Sequence, residues 1–452
     1  MQSSHLSKFV SEIRKGRYPQ NDSESSGSSR YKTLLQIVTY LMRLITGGTL
    51  AISGFVKAID PWGTIYKIDD YLSAMHLTIW PGLIIAGAFL LCAIEFLTGV
   101  FLLTGCFRKG ATVLGFIIIC FMTPLTLWIA IADPVADCGC FGDAFILSNW
   151  ATFWKNIVLL LCFIWLLKYN KIVRSLISAS IQWLAVTASL GYIGLIEVAG
   201  FFYQPLIDFR QFKVGTEIAT TDNQINDEEP EYLFTYQKDG LKQDFQLDSL
   251  PDEDEGWEFV ERKELKNTTN TVEPSSHSEF HIWDSNNDDV TQEILGENPD
   301  IILLMMPKLG NVSIAQTWKI NYLYDWAKSN GYEFIAVVSG SKPEIENWKD
   351  LSMPEYSIYT SDDTIIKEIV RGNPAIVFVK DGKINWKNSL RTIDISNFKK
   401  GVQFKEELNT GAILENISLI YISVIALLIM ISFSFQLREY IASKTSKNRR
   451  HE

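Results

Sequence analysis

The chain is poor in the residues that most redox and metal sites need. No cysteine follows Cys162, no Cys-x-x-Cys pair occurs anywhere, and the 452 residues include only five histidines. The region beyond Cys162 therefore cannot carry out dithiol chemistry by itself. A zinc-type site needs several ligands together, and no histidine lies near the cysteines at 138 and 140. We therefore expect no metal and no other cofactor.

Long hydrophobic runs, by contrast, are plentiful. A hydrocarbon core about 30 Å thick is crossed by roughly 20 apolar residues in a helix. Six blocks meet this requirement and predict a polytopic α-helical membrane protein. They cover 33–56, 80–104, 111–131, 150–167, 178–203 and 413–436.

Positive charge is missing from one set of loops. The loop 132–149 has no Lys or Arg, whereas the loops after the second and fourth spans and the C-terminal tail are basic. Because Lys and Arg are retained in the cytoplasm, we expect both termini there and the segments 132–149 and 204–411 outside. In a bacterium this predicts the inner membrane, with a large periplasmic domain. The first 30 residues contain no apolar signal-peptide core, so the first span is expected to be an uncleaved anchor.

One short motif lies on an outward loop, Cys138-Gly139-Cys140-Phe141-Gly142-Asp143. Thiols on the outer side tend to oxidise, and a disulfide between Cys138 and Cys140 would close a small, strained ring of the labile kind. Asp137 and Asp143 would raise the thiol pKa values and weaken nucleophilic attack. Thiol–disulfide exchange by this pair, a static disulfide or folded loop, and metal binding are the alternatives.

Two charged residues lie deep in the predicted spans. Arg43 is about ten residues from the cytoplasmic end of the first span and Glu95 about nine from that of the second, so their depths match. Ion pairing lowers the cost of a charge in mid-membrane, and we predict an Arg43–Glu95 pair. It would be a structural clamp or take part in proton or substrate movement. Lys57 and Lys155 are expected to snorkel towards the outer surface.

The residues between 33 and 168 carry a family resemblance. They are Arg43, Gly47-Gly48, Ser53-Gly54, Lys57, Asp60-Pro61, Glu95-Phe96-Leu97-Thr98-Gly99 and Cys138-Gly139-Cys140-Phe141-Gly142. This pattern is similar to that of the DoxX/MauE four-helix membrane proteins, and the cysteine motif before the fourth helix resembles the MauE branch. MauE-type proteins are implicated in maturing disulfide-bonded periplasmic enzymes, so the resemblance implies a methylamine-utilisation-like role. It also extends to vitamin K epoxide reductases, whose Cys-x-x-Cys pairs and quinone chemistry this chain does not match.

The outer segment predicts an α/β layer, because strands and helices alternate. A strand turning at Asp239-Gly240 comes first. Beyond it, strands are predicted at 279–283, 300–306, 333–339, 373–379 and 384–386, and helices at 315–330 and 363–371.

The last part of this pattern resembles a thioredoxin-like fold. The resemblance implies that Pro374 is cis and, with Asn373, holds an extended peptide; a purely architectural turn is the alternative. The family's cysteine pair would follow strand 300–306, where this chain has Pro307-Lys308-Leu309-Gly310. The domain is therefore expected to be non-redox.

These patterns divide the chain into seven segments. They are a basic cytoplasmic tail (1–32), the DoxX/MauE-like bundle (33–168), a fifth span (176–203), an irregular periplasmic linker (204–278), the thioredoxin-like domain (279–411), a sixth span (412–437) and a second basic tail (438–452).

Two functions fit this layout best, and a transporter with a path lined by Arg43 and Glu95 is a third alternative, although no repeat or pair of broken helices stands out in the sequence. The first is a membrane factor for periplasmic thiol–disulfide exchange or maturation of an envelope protein, in which Cys138 and Cys140 react and the outer domain holds the client. The second is a non-enzymatic scaffold whose outer domain binds partner proteins. The expected partners are the lipid bilayer, envelope client proteins and a separate thioredoxin-like protein. The net charge of −11 comes largely from the outer segment, and no nucleic-acid partner is expected.

Overall fold

The computed structural model describes most of the chain. The described residues are 22–133, 138–218, 232–238, 241–246, 258–264, 280–297, 300–399 and 410–448. They fall into two compact units. The first takes in the residues up to Arg210, Val370–Ala375 and the residues from Lys387 onward, and the second comprises Gln211–Ile369 and Ile376–Trp386.

The first unit is a bundle of membrane-length helices. Six described helices are long and apolar enough to cross a bilayer, which confirms the predicted multi-pass membrane protein. A seventh, shorter helix, α2, lies between the first two spans. The bounds are α1 (Asp22–Ile59), α2 (Pro61–Ala74), α3 (Pro81–Thr104), α4 (Arg108–Ala132), α5 (Asn149–Tyr169), α6 (Gln182–Phe202) and a C-terminal helix (Thr410–Asn448).

Glycines bring α1 and α3 into backbone contact. A Cβ atom added to Gly54 would lie 2.3 Å from the backbone nitrogen of Phe96, and one added to Gly99 would lie 2.2 Å from that of Ala51. Small residues at a helix interface permit such an approach. Gly47 and Gly54 both permit this close contact, whereas Gly48 has open space around it.

The short helix α2 was not predicted, although its signal is present. Asp60 occupies the N-cap and accepts a hydrogen bond from the backbone nitrogen of Gly63, and Pro61 begins the helix. Both choices are typical of helix starts, since an Asp side chain satisfies a free N–H and proline has none to satisfy.

The second unit contains two sheets. In the smaller sheet, β1 (Tyr232–Lys238) pairs antiparallel with β2 (Leu241–Gln246) and β3 (Glu258–Glu264). Lys238 lies opposite Leu241, which confirms the predicted hairpin, and its Asp239-Gly240 turn lies outside the described residues.

The larger sheet has five strands in the order β6-β5-β4-β7-β8. β4 pairs parallel with β5, and β5 pairs parallel with β6, so the α/β layer is confirmed. The strands are β4 (Asp300–Met306), β5 (Glu333–Val338), β6 (Ser357–Thr360), β7 (Ala375–Lys380) and β8 (Lys383–Ser389). The helices are α7 (Thr291–Glu297), α8 (Thr317–Ser329), α9 (Lys342–Ser352) and α10 (Asp363–Ile369).

The structure of this layer differs from the prediction at 279–283 and contains three elements that were not predicted, β6, α7 and α9. Residue 279 of the strand expected at 279–283 lies outside the described residues, and among 280–283 Trp283 forms isolated bridges with Asp289 and Thr360. The helix α9 was missed although its start carries a capping box, in which Ser341 and Glu344 satisfy each other's free backbone N–H groups.

Candidate functional site: the cysteine loop and its buried ion pair

The cysteine loop closes one end of the bundle between α4 and α5. Gly139 and Gly142 have φ angles of +60° and +52°, a conformation that glycine adopts without steric cost. These two residues turn the chain tightly, and the Sγ atoms of Cys138 and Cys140 lie 2.8 Å apart. Both are free thiols, Cys138 buried and Cys140 half-buried. The predicted pair is therefore brought together.

Two hydroxyl groups hold the backbone of the loop. The Tyr71 hydroxyl, from α2, donates to the carbonyl oxygen of Cys138. Ser53 Oγ, from α1, lies 2.6 Å from the carbonyl oxygen of Cys140 and 2.8 Å from Glu95 Oε2. Because a hydroxyl has one proton to donate, Ser53 serves one of these acceptors at a time. Ser53 thus lies between the loop and the buried carboxylate and can donate to either of them.

The predicted Arg43–Glu95 ion pair is wrong. Glu95 instead pairs with Lys57, whose Nζ lies 2.9 Å from Oε1 and 2.8 Å from Oε2. Arg43 donates to the carbonyl oxygen of Leu102 through Nε and Nη2, and to that of Arg174 through Nη1. Equal depth in the membrane did not identify the partner of Arg43, because its guanidinium is hydrogen-bonded to carbonyl groups near its own end of the bundle.

Lys57 does not snorkel, contrary to the expectation for a residue near a span end. Its residue exposure is 5% and that of Glu95 is 3%. A buried charge without a partner is costly, and two carboxylate oxygens within hydrogen-bond distance supply the partner here. Sequence position alone gave no signal that Lys57 faces inward, since that depends on the rotation of α1 about its axis.

A small cavity joins the ion pair to the cysteine loop. Its volume of about 30 Å³ is room for one water molecule. Lys155, which was also expected to snorkel, reaches this cavity and places its Nζ 4.5 Å from the centroid of the Phe141 ring. The lining includes Ser53, Lys57, Glu95, Cys140, Lys155 and Asn156.

The pKa values of the two thiols are shifted in opposite directions. When Cys140 is ionised, the Cys138 thiol donates a hydrogen bond to it. This hydrogen bond, with the positive charges of Lys155 and Lys57, lowers the pKa of Cys140 to about 6. The same hydrogen bond and burial raise the pKa of Cys138. The expectation that acidic neighbours would raise both thiol pKa values is wrong for Cys140. Asp137 lies outside the described residues.

Asp143, the other acidic neighbour, is paired with an arginine. Arg371 places Nη2 2.8 Å from Asp143 Oδ2 and Nε 2.8 Å from Asp60 Oδ2. Arg371 is buried and lies over the ring of Tyr66. Burial raises the pKa of Asp143 more than the nearby Arg371 lowers it. The arginine pairs with the carboxylate that was expected to raise the thiol pKa values. Sequence reasoning missed this partner because it lies 228 positions away.

The predicted peptide-binding residues follow Arg371 closely. The Asn373–Pro374 bond is cis, as the resemblance implied. The carbonyl oxygen of Pro374 accepts a hydrogen bond from the backbone nitrogen of Leu390, so that acceptor is occupied within the protein. Pro307-Lys308-Leu309-Gly310 leads into a short 3-10 turn, Leu309–Asn311. Binding of a peptide at Asn373 and Pro374 stays a prediction.

Three of the other four cysteines are buried. Cys92 and Cys162 are buried among the helices of the bundle, and Cys106 is buried just beyond α3. Cys120 is exposed on α4. Among the residues that the structure describes, no group of three or more His, Cys, Asp or Glu side chains is arranged to hold a metal ion.

Comparison with known families supports the bundle assignment. Residues 35–169 match the model of the family described as methylamine utilisation protein MauE. Residues 230–266, which contain the three-stranded sheet, match a domain of unknown function (DUF8463). No curated protein and no solved structure gave a match. The MauE resemblance inferred from the residues is confirmed, and it places the cysteine loop, Lys57 and Glu95 within one family segment.

Proposed function

With its MauE-type membrane bundle as the premise, we propose that this protein carries out thiol–disulfide exchange on envelope proteins. The observation that carries the proposal is the asymmetric pair of thiols 2.8 Å apart. Cys140, half-buried and with a pKa of about 6, would attack. Cys138, buried and with a raised pKa, would resolve. A low-pKa thiolate beside a second thiol is typical of exchange cysteines.

The reaction is a two-electron exchange. The Cys140 thiolate attacks one sulfur of a client disulfide, forms a mixed disulfide and releases the other client sulfur as a thiolate. The Cys138 thiol then loses its proton and attacks Cys140 Sγ, which releases the second client thiolate and leaves a Cys138–Cys140 disulfide. The client is reduced and the pair oxidised. The reverse sequence oxidises a client dithiol, and exchange with a second dithiol or disulfide restores the starting state.

Orientation and client binding belong to the same proposal. The bilayer would be the bacterial inner membrane, with both termini in the cytoplasm and the cysteine loop in the periplasm, as the loop charges indicate. The α/β layer would act as a non-redox, thioredoxin-like client-binding domain around Asn373 and Pro374. A separate thioredoxin-like protein would be the partner that resets the pair.

A redox titration tests the reaction directly. Membranes are equilibrated in thiol buffers of stepped potential, alkylated, and analysed by mass spectrometry for Cys138 and Cys140. We expect one reversible transition in which both thiols change together. The variant Cys138→Ser should accumulate a mixed disulfide through Cys140, and the matched variant Cys140→Ser should accumulate far less. Thiols that stay in one state at every potential would contradict the proposal.

A scaffold function is the alternative that one observation favours. Tyr71 and Ser53 fix the carbonyl groups of both cysteines, as a purely structural loop would require. A scaffold predicts that the double variant Cys138→Ser/Cys140→Ser folds and keeps full function. The exchange proposal predicts that the same folded variant loses all client turnover.

A further inference from the structure

A second cavity lies away from the cysteine loop. It has a volume of about 1050 Å³ and is formed where α3 turns into α4 and where α5 ends. Gln436, from the C-terminal helix, completes its lining. The lining residues therefore come from the ends of several membrane-length helices. This is the end of the bundle where Arg43 donates a hydrogen bond to the carbonyl oxygen of Arg174.

The cavity is strongly basic. Four of its lining residues are cationic, and none of the described lining residues is acidic. A fifth cation, Arg43, is buried next to it, with Nη2 2.7 Å from the point where a Cβ on Gly105 would stand. The four lining cations are Arg108, Lys109, Lys171 and Arg174. Such an excess of one sign attracts an anion.

The backbone adds to this preference. The helix α4 begins at Arg108, and Phe107, at its N-cap, supplies no side-chain hydrogen bond. The first turn of a helix presents N–H groups and the positive end of the helix dipole. Gly110, in that first turn, leaves open space where a side chain would stand. Backbone and side-chain charges thus favour the same kind of ligand.

We propose that this cavity binds the phosphate headgroup of an anionic phospholipid. Lys and Arg side chains are the usual phosphate ligands, and basic pockets between membrane helices bind such headgroups. The bilayer is the source we commit to, because the lining comes from the ends of membrane-length helices. Phe107, which is 53% exposed, offers an apolar surface beside the cationic group for the start of an acyl chain. This inference does not depend on the thiol chemistry.

The test uses the full-length protein, freed of lipid in detergent and placed in nanodiscs. The discs contain phosphatidylcholine alone or with phosphatidylglycerol, and a third sample receives phosphatidylcholine with inorganic phosphate. We expect phosphatidylglycerol to raise the unfolding temperature and to stay bound in native mass spectrometry. Equal unfolding temperatures in the two kinds of disc, or equal retention of phosphatidylcholine in native mass spectrometry, would overturn the proposal. A full effect of inorganic phosphate would show a soluble phosphate site and overturn the assignment to lipid.

The variant Lys109→Gln/Lys171→Gln/Arg174→Gln keeps Arg108, whose guanidinium donates to the carbonyl of Val173. With about fivefold lost for each charge, the triple variant should bind phosphatidylglycerol about two orders of magnitude more weakly. Lys168→Gln is the matched control, since this lysine lies over Tyr169 outside the lining and should bind like the wild type. If the triple variant does not fold, the single variants Lys109→Gln and Lys171→Gln replace it, and unchanged binding in both would overturn the proposal.

Discussion

Lys57 and Glu95 form a bidentate ion pair inside the bundle, with Nζ 2.9 and 2.8 Å from the two carboxylate oxygens. The pair connects α1 to α3, and Ser53 beside it can donate either to Glu95 or to the carbonyl oxygen of Cys140. It therefore has two consequences that can be measured separately. One is the stability of the bundle, and the other is the electrostatic environment of the thiolate.

The stability consequence is tested by removing one partner at a time. Glu95→Gln leaves the Lys57 ammonium buried without its counter-charge, and Lys57→Met leaves the carboxylate alone. Breaking a buried pair from one side costs about 3–5 kcal/mol, so both variants should lower the unfolding temperature strongly. The apolar double variant Lys57→Met/Glu95→Leu should recover most of the loss, as measured by thermal unfolding in detergent. Additive losses in the double variant would show that the two residues are not coupled.

The acidity of Cys140 predicts a pH profile. Only the thiolate is alkylated rapidly, so the rate of Cys140 alkylation by iodoacetamide should rise around pH 6. Lys155→Gln removes a positive charge and should move this midpoint to higher pH. Cys138→Ala, which removes the donated hydrogen bond, should move it further. Lys168→Gln, at a distant lysine, should leave the profile unchanged. A midpoint near that of an ordinary cysteine in the wild type would contradict the described hydrogen bond.

Arg371 neutralises two carboxylates at once, Asp60 and Asp143. We expect Arg371→Gln to leave both acids partly buried without a counter-charge, with a loss of several kcal/mol. The same change should slow alkylation of Cys140, because the Asp143 charge is no longer balanced near the thiolate. The triple variant Arg371→Gln/Asp60→Asn/Asp143→Asn should restore both properties, and Arg391→Gln provides a control at a nearby exposed arginine.

An acid-dependent loss of stability is expected from Asp208. Burial would raise the pKa of this carboxyl, but its ion pairs with Arg210 and Lys387 outweigh burial and lower the pKa to about 2. Because the folded pKa lies below the unfolded value, the carboxylate stabilises the fold at pH values above about 4. The stabilisation is lost as the pH falls towards 2. The shift corresponds to about 2 kcal/mol.

The measurement is the unfolding temperature between pH 2 and pH 6 in wild type and Asp208→Asn. The wild type should lose stability over this range more steeply than the variant, and the two curves should converge at low pH. Parallel curves would show that Asp208 does not titrate as described.

The sequence was sufficient for features that depend on local pattern. The six spans follow from runs of apolar residues, and the hairpin of β1 and β2 follows from an Asp-Gly turn. The cysteine pair was found because its two members are almost adjacent in the chain. Helix α9 was missed although the capping box at Ser341 and Glu344 was visible.

The site residues that were misjudged depend on three-dimensional arrangement. Glu95 was predicted to pair with Arg43 because the two residues lie at the same depth. Depth does not show which side of a helix faces which neighbouring helix. Lys57 pairs with Glu95 because the contact at Gly54 and Gly99 fixes the facing sides of α1 and α3. Arg371 lies 228 positions from Asp143, and no periodicity in the chain signals so distant a partner.

The glycine contact between α1 and α3 fixes the distance between these two helices. Two helices kept apart by side chains can shift as those side chains change rotamer. Two helices whose backbones are in contact cannot shift in this way. Gly54 is one turn from Lys57, and a single methyl group there would meet the backbone nitrogen of Phe96 at 2.3 Å. The distance from Lys57 to the Glu95 carboxylate therefore depends on Gly54, a residue that carries no functional group.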